Sequence, residues 1–178
     1  MQSIFLNINL QKQGNKGLFK PLYVEGYYYP NEKYNQLDLD ISLHNLSIDF
    51  LKPFLDEYVG NLEGKASGEI NVSGTFDEPD ISGSLDLSRT QFRISYLNTL
   101  YSMSGHLILD NNRIGFDEVT VYDTLGNTAL LYGGLTHNRL KDFGVDLKGL
   151  PNNFVALNNH KSMNELFYGK AIVDGEVL

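Results

Sequence analysis

The chain has 178 residues, 42% hydrophobic and 12% aromatic, with a formal net charge of −8 and no cysteine. That length suits one domain with a sizeable core, and that hydrophobicity excludes a disordered acidic tail. The charge argues against a face that binds nucleic-acid phosphates or anionic headgroups by electrostatics alone, and the missing cysteine excludes a disulfide scaffold and thiolate chemistry.

The opening stretch "MQSIFLNINLQKQ" alternates apolar and polar residues and has no basic region ahead of an apolar core, so it reads as a strand rather than a signal peptide. Ile4, Leu6, Ile8 and Leu10 share one face of it. Tyr27-Tyr28-Tyr29 reads as a strand end with aromatics on both faces, with a sugar-stacking platform as the alternative. Next, Leu37, Leu39, Ile41 and Leu43 share a face, with Asp38, Asp40, Ser42 and His44 opposite.

The pattern then changes. "SIDFLKPFLDEYVGNL" places Phe50, Leu51, Phe54, Leu55, Tyr58 and Val59 at helical spacing, with Ser47 or Asp49 as the cap. The expected helix lies within Asp49 to Asn61 and starts near Leu51, because Pro53 is tolerated only in a first turn.

Alternation resumes in "GEINVSGTFDEPDISGSLDLS", where Ile70 and Val72, then Leu85 and Leu87, mark two strands joined by Thr75 to Asp80. The glycines there sit where a Cβ would hinder a sharp bend. Phe92 and Ile94, Leu107 and Leu109, Val119 and Val121, and Val145 and Leu147 repeat the theme. Gln13-Gly14-Asn15, Tyr29-Pro30-Asn31, Asp110-Asn111-Asn112 and Leu125-Gly126-Asn127 are turn signals between strands, so the expected sheet is antiparallel. "NNFVALNNHKSMNELFYG" (Asn152 to Gly169) is a candidate second short helix.

No segment approaches the ~20 apolar residues that span a bilayer. The last stretch, "GKAIVDGEVL", stops in strand-like alternation, and the chain reads as a piece of a longer protein. Residues 1–178 are expected to form a single unit holding an internal repeat, 1–70 against 112–178. Ser42 to Phe50 aligns with Asp146 to Phe154, Leu62 to Ala66 with Phe167 to Ala171, and Glu25 to Pro30 with Gly133 to Asn138.

Chemistry-bearing constellations are sparse. Asp38 and Asp40 lie on the polar side of a strand, Asp77, Glu78 and Asp80 in a Pro-containing turn, and Asp117 beside Glu118; none follows a calcium-loop pattern. His44, His106, His137 and His160 are too scattered for a zinc motif, and no serine sits in a nucleophile elbow. The expectation is a protein with no catalytic residues, no metal and no cofactor.

Phe92 to Leu147 resembles the C-terminal region of TamB proteins of Bacteroidetes, most specifically in "YLNTLYSMSG" and "DTLGNTALLYGGLTHNRLKDF". "GEINVSGTFDEPDISGSLDL" is similar to the strand–Gly–Pro–Gly unit common to TamB and AsmA-like proteins, and "LFYGKAIVDGEV" also resembles that family; the likeness covers about residues 37 to 178. The resemblance implies a segment of a long periplasmic protein, anchored in the inner membrane elsewhere in its chain and working with an Omp85-class, TamA-like outer-membrane barrel. It implies an elongated, half-open β-groove that conducts phospholipid and supports outer-membrane biogenesis.

The residues and the resemblance together give an all-β, mainly antiparallel groove with one or two short helices. Roughly a dozen strands of six to eight residues would form a trough on the order of 50–60 Å long. The expected groove lining is Leu37, Leu39, Ile41, Leu43, Ile70, Val72, Leu85, Leu87, Leu107, Leu109, Val119, Val121, Val145 and Leu147, and the expected ligand is phospholipid acyl chains. The alternatives are a scaffold for unfolded outer-membrane barrels and an extracellular carbohydrate-binding sandwich.

Overall fold

The computed structural model describes residues 2–14, 17–52, 59–139, 141–162 and 168–177. It is an antiparallel β protein. Nine strands form one sheet in chain order: β1 (Ile4–Gly14), β2 (Gly17–Tyr28), β3 (Leu37–Ser47), β4 (Val59–Gly74), β5 (Pro79–Ile94), β6 (Thr99–Asp110), β7 (Arg113–Tyr122), β8 (Thr128–Asn138) and β9 (Lys141–Asn152). The sheet does not close, since β1 and β9 do not pair. A separate hairpin, β10 (Phe154–Asn159) with β11 (Gly169–Val173), follows.

The strands are longer than alternation alone predicts, with sixteen residues in β4 and in β5. The reason is β-bulges. Register shifts lie between Leu43 and Leu46, Gly60 and Glu63, Leu87 and Thr90, Ser104 and Ile108, and Phe116 and Val119. The extra residue, on β3, β4, β5 or β7, breaks that strand's period of two and makes one long strand look like two short ones; the Ser104/Ile108 shift is the β7 bulge met from its partner β6, whose own alternation is unbroken. Asn45, Asn61 and Arg89 occupy three of these shifts with positive φ.

Two expectations are corrected. The second short helix, expected within Asn152 to Gly169, is not formed over Phe154–Asn159, which is strand β10, paired to β11 and packed through Phe154 onto the sheet; 163–167 lie outside the described residues. The trough is shorter than 50–60 Å, because nine strands rather than a dozen share the sheet; eight spacings give about 40 Å. Within Asp49 to Asn61, a single 3-10 turn covers Ile48–Leu51, Val59 to Asn61 already belong to β4, and the intervening 53–58 lie outside the described residues. Ser47 precedes the turn, and its hydroxyl donates to the Asp49 carboxylate at 2.6 Å instead of capping the backbone.

Core packing is concentrated at one end of the sheet, where the β3–β4, β5–β6 and β7–β8 connections lie. Leu43, Ile48, Leu62 and Ala66 form one buried cluster, tied to the 3-10 turn. Tyr101, Val119, Val121, Ala129 and Phe154 form the other, beneath the β10–β11 hairpin. Phe92 packs against both.

Candidate functional site, an apolar sheet face closed at one end

Residues paired across antiparallel strands project to the same face, so the register locates each predicted lining residue. Leu39 pairs with Val72, Ile41 with Ile70 and Leu43 with Gly68. Leu85 pairs with Leu107, Leu87 with Gly105 and Gly83 with Leu109. Val119 and Val121 face Leu131 and Ala129, and Leu147 and Val145 face Gly133 and Leu135. With Leu37 opposite Gly74, all fourteen lie on one face of the nine-stranded sheet.

One row crosses every strand. It runs Ile8, Val24, Ile41, Ile70, Gly83, Leu109, Ile114, Leu135 and Val145, each paired with the next. It contains no polar side chain. Sequence reasoning missed Val24, Ile114 and Leu135, and all three carry the same period-two signal as the residues it named.

Burial divides the face. Leu37, Leu43, Val119 and Val121 are buried, and Val119 is only 2% exposed. Leu39, Ile41, Ile70, Val72, Leu85, Leu87, Leu107, Leu109 and Leu147 are half-buried, while Val145 on the edge strand is 72% exposed. The face is therefore a packed core at the end beneath the 3-10 turn and the hairpin and a half-open apolar trough over the rest; of the fourteen, Leu37 alone is buried at the far end, between its partners Tyr28 and Gly74.

The closed end is held by polar groups of the turns. The buried Asp123 carboxylate accepts the Leu125, Asn127 and Val155 N–H groups at 2.8, 2.9 and 3.0 Å, and the Asn127 side-chain amide at 3.0 Å. Burial pushes this carboxyl up, but the donors, Val155 foremost, outweigh it and hold it below the usual carboxylate value. The Asn158 N–H donates to the Leu97 carbonyl at 3.3 Å, and the Asn159 amide donates to the Tyr96 carbonyl at 3.1 Å. The Tyr101 ring stacks on Phe154 at 5.2 Å, and its hydroxyl donates to the Val155 and Ala156 carbonyls. Burial raises the Tyr101 pKa.

The opposite face is polar and internally bonded. Asn71 donates to Asp40, Ser42 to Glu69 at 2.8 Å, and His106 contacts Asp86 at 2.8 Å. Arg113 pairs with Asp146 at 3.1 Å. Among the described residues no group of His, Asp or Glu is placed to hold a metal ion.

Comparison with family models, curated proteins and solved structures finds no match.

The tyrosine run divides between the faces. Tyr27 lies on the polar face against Phe5 and Tyr29, at ring separations of 5.3 and 6.1 Å. Tyr28 lies on the apolar face, paired with Leu37 and in edge contact with Phe76 at 5.4 Å. On the polar face of the same strand, Tyr23 accepts the Asn7 amide and donates to Glu25, whose carboxylate raises the phenol pKa.

Proposed function

We propose that this chain is a periplasmic segment of a TamB-like envelope protein whose apolar trough conducts phospholipid acyl chains between the inner and outer membranes. The row of nine apolar or glycine positions running unbroken from Ile8 to Val145 carries the reading. An acyl chain laid across the strands along this row buries methylenes at about 0.8 kcal/mol each. The row offers no specific polar contact, so affinity stays similar from strand to strand, as sliding transfer requires. A headgroup would remain in water at the open rim. The outer-membrane end of the path would be an Omp85-class, TamA-like barrel.

The test is a pair of charge substitutions. Leu109→Arg places a guanidinium on a half-buried position from which it reaches solvent, so the protein should fold and lose binding of a fluorescent phospholipid. Val119→Arg places the charge in the sealed end, where an unpaired charge costs several kcal/mol, and should unfold it. A folded Leu109→Arg protein that binds phospholipid like the parent would overturn the proposal.

A second reading, a scaffold for unfolded outer-membrane barrels, is favoured by the free outer edge of β1. Its Ile4, Phe5, Ile8 and Leu10 are about half exposed, and strand addition to such an edge supplies main-chain hydrogen bonds. Stoichiometric binding of barrel-strand peptides that is blocked by proline substitutions in β1 would select it over lipid conduction.

A further inference from the structure

The polar face of the sheet holds an open cavity of about 720 Å³ over β5, β6 and β7. Its shape follows from side-chain length. Gln91, Ser102 and Tyr122 are register partners across the three strands, and Ser104 and Thr120 are partners in the adjacent row. Short hydroxyl residues, Ser102, Ser104 and Thr120, make the floor. Long ones make the walls: Arg89 and Gln91 on β5, Glu118 and Tyr122 on β7. The walls stand two strand spacings apart, about 10 Å. Bulges place two of them: Arg89 lies in the Leu87/Thr90 shift with φ +51°, its N–H on the Ser104 hydroxyl at 3.1 Å, and Glu118 lies in the Phe116/Val119 shift.

Most of this polar equipment is uncommitted. Among the described residues, the side chains of Arg89, Gln91, Ser102 and Thr120 have no hydrogen-bond or ion-pair partner. Among the described residues Glu118 accepts only the Tyr132 hydroxyl, at 3.2 Å through Oε2. The set comprises a guanidinium, a carboxylate, a primary amide, several hydroxyls and a half-exposed tyrosine ring. One positive and one negative charge cancel within the cavity. An inorganic or lipid phosphate would meet Glu118 uncompensated, and a cation would meet Arg89. A neutral polyol meets neither objection, because each of its hydroxyls both donates and accepts, and a sugar ring has an apolar face for the tyrosine.

We propose that this cavity binds a neutral oligosaccharide, with Arg89, Gln91 and Glu118 bonding ring hydroxyls and Tyr122 stacking on a sugar face. The site lies on the side opposite the apolar trough and does not depend on lipid conduction. The test titrates a panel of neutral di- to tetrasaccharides, built from hexose and from N-acetylhexosamine, into isotopically labelled protein while backbone amide resonances are followed. The expected result is saturable shifts confined to residues 89–91, 102–104 and 118–122 with at least one sugar. Affinity should fall at least about tenfold in Arg89→Ala and in Gln91→Ala, both at exposed positions that leave the sheet folded. Leu109→Ala on the opposite face should bind as the parent does. Absence of saturable shifts across the panel, equal binding by both cavity variants, or shifts at these amides with inorganic phosphate in place of sugar would each overturn the assignment.

Discussion

At Gly68 and Gly83 the backbone takes φ values of +152° and +136°, and a Cβ at either would lie 2.1 or 2.2 Å from a carbonyl oxygen of the neighbouring strand. The offending oxygens belong to Ser84 and Glu69, so the two glycines let β4 and β5 bend together where an L side chain would force them apart. Gly68→Ala should therefore cost about 2 kcal/mol or more in chemical denaturation, opposite in sign to Gly→Ala at an ordinary strand position, which gains about 0.5–1 kcal/mol. A neutral or stabilising result would show that the bend relaxes freely. Asp123 gives a pH prediction at the same scale. Its folded pKa is depressed, so its contribution is fully present above the unfolded value near 3.9 and is lost as pH falls through the folded one. The protection factor of the Val155 amide, with the intrinsic pH dependence of exchange divided out, should fall on acidification below about pH 4, and Asp123→Asn should remove that dependence.

Among the elements, the β10–β11 hairpin and the tips of the long hairpins decide how far the trough is open. Arg139, in the β8–β9 turn, pairs with Glu78 and with Asp80 at 3.5 Å, reaching past the shorter β6–β7 hairpin to the tip of β4–β5. This exposed bridge should contribute little to global stability, but it holds two non-adjacent hairpins together. In Arg139→Ala, or in high salt, spin labels on Thr75 and Asn138 should report a longer and broader distance with an unchanged melting transition. An unchanged distance would mean that the sheet's own curvature sets the gap. These elements were unevenly legible from sequence. Runs such as Leu37 to Leu43 announce themselves because nothing interrupts the period of two. The sixteen-residue strands did not, since bulges at Asn61 and Arg89 shift the pattern mid-strand. Phe154–Asn159 misled because "NNFVALNN" is short and apolar in its middle, and such a run fits a helix or a buried strand equally well until Tyr101 and Asp123 are seen to receive it.

Over the whole molecule, the fourteen lining residues lie on one face because alternation fixes a side and antiparallel register carries that side from strand to strand. What alternation cannot give is depth. Leu109 and Val119 carry the same signal, yet one is half-buried and the other sealed, because the hairpin and the 3-10 turn cover only one end. The polar cavity was equally hidden, since two of its wall residues, Arg89 and Glu118, sit in bulges where facing is set by the shift rather than by parity. Conduction requires that acyl chains occupy the open part of the apolar face. Photo-crosslinking amino acids at Leu109, at Ile70 and, on the polar face, at His106 test it most directly in the protein expressed within the bacterial envelope. Phospholipid adducts are expected from Leu109 and Ile70 and none from His106. Absence of lipid adducts at Leu109 and Ile70, or equal yields from all three positions, would contradict it.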